Sequence, residues 1–161
     1  MRFVILFVLA IAIVALLLII AGQAGFLKGK APADLGIKDG KLKRISRTPN
    51  CVSSQADLWP DDRQKEYSAI APFKITGDGS AQMQKISDAL KAMPRTVIVS
   101  QTPAYIYAQS TTALLKFTDD VEFALDAQAG VIHVRSASRL GQKDFGVNRA
   151  RIEAVRAALG Q

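Results

Sequence analysis

The sequence predicts an α+β fold: a small antiparallel sheet of three to four strands with two flanking helices, after one N-terminal transmembrane helix. Three observations predict it. Nineteen consecutive residues, Phe3 to Ala21, carry no charge and no hydrogen-bonding side chain. Apolar residues recur at helical spacing in two later segments, and alternate with period two in the stretch between them. The 161-residue chain leaves about 140 residues beyond the apolar segment, enough for one core but not comfortably two.

Fifteen of the nineteen apolar residues are Phe, Val, Ile or Leu and four are Ala. At about 1.5 Å per residue such a helix nearly covers the ~30 Å hydrocarbon core of a bilayer. Its length favours an anchor over residues 1–22 rather than a secretory signal, whose apolar core runs about 7–15 residues. A cleaved signal is the rival reading, because Gly22-Gln23-Ala24 offers small residues for cleavage. Charge gives no support to export and leans weakly against it: Arg2 stands on one side, and Lys28, Lys30, Lys38 and Lys41 on the other.

Residues 23–47 carry seven basic residues against Asp34 and Asp39, with Pro32 and several glycines, and read as a flexible basic tether. Residues 48–161 then form the expected single α+β domain. Its first part, 49–79, shows no sustained apolar period and is punctuated by Pro49, Pro60, Pro72 and Gly77-Asp78-Gly79. Met83, Ile86, Leu90 and Met93 mark a helix that Ser80 can cap and Pro94 ends. Thr96–Val99 and Tyr105–Ala108 are strand-like, separated at Pro103. Asp120–Asp126 alternates with Val121, Phe123 and Leu125 on one face, and Val131–Ser138 with Ile132 and Val134. The four residues joining them, Ala127 to Gly130, end in glycine, a hairpin signal. Matching the apolar faces requires paired residue numbers to sum to an odd value, and pairing Leu125 with Ile132 meets this, placing Glu122 opposite Arg135 on the other face. Ile152, Val155, Ala158 and Leu159 mark a last helix from Val147.

Twenty basic residues against fourteen acidic ones beyond Arg2 make the remainder net positive, which suits anionic headgroups. No basic run is interleaved with aromatics, so nucleic acid is not indicated. One cysteine excludes an intrachain disulfide, and one Cys with one His cannot supply four zinc ligands. No cofactor motif is present: Gly77-Asp78-Gly79 is too short for a phosphate loop.

Polar side chains concentrate in three blocks: Pro49-Asn50-Cys51-Val52-Ser53-Ser54-Gln55, Asp119-Asp120-Val121-Glu122-Phe123, and Val134 to Arg149. Together they resemble a bacterial and plastid family known only as a domain of unknown function, DUF1499, over roughly Pro49 to Leu159. Where that family often carries Tyr-Ser, this chain has Gln142-Lys143. The resemblance implies membrane association or export, hence a soluble domain outside the cytoplasm, and implies no reaction.

The candidate cluster comprises Cys51, Asp119, Asp120, Glu122, Arg135, Ser136, Ser138, Arg139, Asp144, Asn148 and Arg149. It has two readings. Arginines and carboxylates can form a fold-specifying ion-pair network. Alternatively, Arg forks beside the N–H groups of the last helix suit a phosphate or carboxylate. Arg135 is expected to pair structurally, leaving Arg139 and Arg149 as ligand contacts. Catalysis is the minority reading, either a Cys51–His133 pair or the acidic residues acting in an envelope hydrolase. Adjacent strand residues face opposite ways, so Asp120 would team with Glu122, not with Asp119. The expected function is a membrane-anchored, non-catalytic accessory or binding domain. Its expected partners are membrane lipids through the first helix, together with an anionic ligand or a protein.

Overall fold

The computed structural model describes residues 1–161. Helix α1 (Arg2–Gln23) is long and apolar enough to cross a membrane, and Gly22 is the one residue it buries. The domain that follows is built on a six-stranded antiparallel sheet, two strands more than the upper expectation. Strands β3 (Thr96–Thr102), β4 (Tyr105–Thr111), β5 (Thr118–Asp126) and β6 (Val131–Ser138) make a meander of consecutive hairpins. The first two strand-like runs are therefore partners across Pro103-Ala104. The additional strands, β1 (Cys51–Ser53) and β2 (Phe73–Lys74), both pair with β6. At three and two residues they are too short to display a period, and only β6 makes them strands.

The β5–β6 register follows from the alternation. Leu125 faces Ile132, Phe123 faces Val134 and Glu122 faces Arg135. One sheet face is apolar and receives both helices, α3 (Gly79–Ala92) through Met83, Ile86 and Leu90, and α4 (Val147–Ala158) through Ile152 and Val155. Phe73 and Phe123 meet edge to face at 5.6 Å in this thirteen-residue core. Asp78, rather than Ser80, caps α3, its carboxylate accepting from the N–H groups of Ser80 and Ala81. A short helix, α2 (Lys65–Ser68), lies in the connection from β1 to β2.

The opposite face is polar, and here the structure corrects the expected tether. From Gly29 the segment lies against the sheet as a strap. Arg139 donates to the Gly29 carbonyl, and the Gly36 N–H donates to Glu122 at 2.8 Å. The strap reverses at Asp39-Gly40, whose φ values of 51° and 74° suit a two-residue primed turn closed by Lys38 and Lys41. It returns with Leu42 and Ile45 buried. Gln55 clasps the turn, its side chain accepting from the Leu42 N–H and donating to the Gly40 carbonyl. A chain with these internal contacts and two buried apolar anchors is ordered despite its polar composition.

Candidate functional site

Alternation divides the polar residues into two clusters, one on each face of the sheet. Beneath the strap, Asp120 and Glu122 on β5 lie beside Tyr105 and Tyr107 on β4 and Arg135 on β6, with Arg139 just beyond. Arg139 donates through Nε and Nη2 to Asp120, at 2.9 Å and 2.7 Å. The Tyr107 hydroxyl donates to the same carboxylate at 2.6 Å and accepts from Gln109. The hydrogen bond with Asp120 holds the Arg139 guanidinium even more firmly protonated than usual. Tyr105 donates to Glu122 at 2.7 Å. Burial first, and then the charge of Glu122, push its phenol far above the ordinary tyrosine value. Arg135 stands 3.6 Å from Glu122 and donates to the Arg44 carbonyl of the strap. Glu122 Oε2 is fully buried and accepts no hydrogen bond.

The second cluster joins the helix-facing side to the start of α4. Arg151 donates to Asp119 at 2.6 Å, to Ser136 at 2.9 Å and to the side-chain Oδ1 of Asn148 at 2.7 Å. Asn148, completely buried, accepts from Ser136 and donates to the Asn50 carbonyl, Ser138 and Asp144. Asp144 accepts from the N–H groups of Gly146 and Asn148 and from the Tyr67 hydroxyl. Burial alone would raise this carboxyl, but the hydrogen bonds from Tyr67, Gly146 and Asn148 outweigh it and hold it low. The N–H groups at the start of α4, expected to greet an anion, are thus served by the chain's own carboxylate.

Arg139 and Arg149 thus both have partners within the protein. Asp120 occupies the first fork, and Arg149 spends its Nη2 on the carbonyls of Tyr67 and Ala69, at 2.6 and 2.9 Å. The Cys51–His133 pair is also absent. Cys51 lies opposite Ala137, four residues or about 13 Å along β6 from His133. Its thiol is fully buried, and burial pushes its pKa up, against the opposing pull of Arg135. His133 is 3.1 Å from the Ser54 hydroxyl, and burial lowers its pKa.

Arg151 is the residue whose importance sequence reasoning missed. Its signal was positional: it shares the buried face of α4 with Asn148, Ile152 and Val155, where an arginine requires a partner. The hydroxyl partners of Tyr67, Tyr105 and Tyr107 are likewise not legible in the sequence, since they depend on tertiary contacts. No group of three or more His, Cys, Asp or Glu side chains is arranged to hold a metal ion.

Strap residues Asp34, Lys38, Lys41, Lys43 and Arg44 line a cleft of about 340 Å³ together with Trp59. Asp34 pairs with Lys43, and Asp62 with Arg44.

A family model described as "Protein of unknown function (DUF1499)" matches residues 41–159. No curated protein matches the chain.

Proposed function

Because this chain belongs to the DUF1499 family, whose description assigns no activity, we propose from its geometry that it is a membrane-anchored, non-catalytic accessory or binding domain. The observation that carries this reading is the disposition of the motif charges. Asp119, Asp120 and Glu122 meet Arg151, Arg139 and Arg135 in three buried ion pairs, so the motifs serve the fold rather than a reaction. A hydrolase would need a nucleophile within reach of a base, whereas Cys51 is sealed and remote from His133. Membrane fractionation tests the anchoring. The chain should stay with membranes through alkaline washing at its full 17.4 kDa. A soluble product about two dozen residues shorter would establish a cleaved signal instead. Turnover of ester or glycoside reporters that disappears in Cys51→Ala would establish the hydrolase.

Recognition of an anionic group is a second reading, favoured by the cleft at the strap. Lys38 and Lys41 stand there exposed beside Trp59, and neither forms an ion pair. Titration with inorganic phosphate, compared between the parent and a Lys38→Gln/Lys41→Gln variant, tests it. Equal binding by both removes the cleft from consideration.

A further inference from the structure

One end of the sheet combines apolar and cationic side chains in an arrangement the anchor alone does not explain. Thr111 pairs with Thr118, and Asp119 with Ser138, so the loops 112–117 and 139–146 leave the sheet at the same end. The last turn of α1 is seated there. Gln23 donates to the Leu114 carbonyl at 3.0 Å, and Gly22 packs so closely that a Cβ would fall 2.5 Å from the Leu115 oxygen. Around this seat three large apolar side chains point into open space: Phe26 is 80% exposed, Leu114 63% and Phe145 85%. Lys28, Lys116 and Lys143 accompany them, Lys143 lying over the Phe145 ring at 5.7 Å. Segments 24–31, 112–117 and 139–146 together contain one carboxylate, Asp144, and it is turned inward.

We propose that this end is a bilayer-resting face. Phe26, Leu114 and Phe145 enter the headgroup–acyl boundary of the bilayer that α1 spans, and Lys28, Lys116 and Lys143 lie against anionic lipid headgroups. Exposed aromatics ringed by lysines fit that boundary, where apolar burial and headgroup attraction add. Continuity fixes the occupant, since the surface begins where the apolar helix ends. The inference rests on the anchored reading above.

The test uses the full chain in vesicles of phosphatidylcholine, alone or mixed with phosphatidylglycerol. An environment-sensitive fluorophore is attached to Leu114→Cys, Phe145→Cys or, at the opposite end of the sheet, Ala127→Cys. Buried Cys51 leaves the parent chain as the unlabelled control. Labels at 114 and 145 should shift to the blue and be quenched by brominated acyl chains, while the label at 127 reads as aqueous. Phosphatidylglycerol should enlarge the shift, and a Lys28→Gln/Lys116→Gln/Lys143→Gln variant should lose that gain. Equal, aqueous readings at all three positions in a chain that resists alkaline washing would overturn the resting face and leave the anchor standing. A shift indifferent to phosphatidylglycerol would overturn the anionic headgroup assignment. Release by alkali would overturn the anchor itself, and the resting face with it.

Discussion

Asp120 is 1% exposed and receives hydrogen bonds from Arg139 and Tyr107, so its charge depends on neighbours rather than on water. Arg139→Ala strands that charge and should cost about 3–5 kcal/mol. Arg149→Ala deletes only two bonds to carbonyl oxygens and should cost about 1–2 kcal/mol. Denaturant unfolding of both variants checks the order; a milder loss for Arg139→Ala would refute the structural role of its pair. The Cys51 thiol gives a pH signature. Its pKa is raised on folding, so above about 8.5 the unfolded chain releases a proton that the folded chain retains. Stability should therefore decline as pH rises from about 8.5 toward 10, below the ordinary tyrosine range, and Cys51→Ala should flatten that decline. Spacing places Glu122 and Arg135 opposite each other, because a strand's period is local information. It could not show that Asp120 occupies Arg139, since that partnership requires two strands and a tyrosine from a third.

Among the elements, the hairpin was legible because its strands alternate long enough to fix a face. The strap was not. Its polar composition reads as disorder, and the Asp39-Gly40 dipeptide, a hairpin-turn signal, sits between lysines rather than between apolar runs. What orders it comes from elsewhere in the sequence, chiefly Gln55 and the polar face of β5. This dependence predicts the behaviour of Gln55→Ala. Removing the clasp leaves the Leu42 N–H and Gly40 carbonyl without partners, so the strap should open locally while the helix-facing core persists. The amide protons of Gly36 and Leu42 should exchange many-fold faster than in the parent, with those of Val121 and Phe123 little changed. Uniform acceleration across the sheet would mean that strap and core unfold as one unit. Gly40→Ala probes the turn itself. A side chain at positive φ should cost about 1 kcal/mol, read as a lowered unfolding midpoint.

At the scale of the whole molecule, the strap changes how far the domain can stand from α1. A free segment over 23–47 would reach about 85 Å when fully extended, whereas only Ala24 to Gly29 separate α1 from its first strap contact, about 20 Å of chain. The domain is therefore confined beside the end of the helix, with Gly22 and Gln23 in contact with the loop at Leu114 and Leu115. Confinement does not make the helix part of the core. α1 buries only Gly22, and its apolar side chains touch none of the thirteen residues that hold sheet and helices together. Its exposed surface has no partner within the protein and is what the proposed anchor would present to lipid. Deleting residues 1–21 should consequently release the protein from membranes while shifting domain stability by no more than about 0.5 kcal/mol, the scale of a surface change. Urea unfolding of both forms in the same detergent, followed by far-UV circular dichroism, measures the difference. A loss of several kcal/mol would show that the helix helps to hold the domain together, and would make anchor and domain one folding unit.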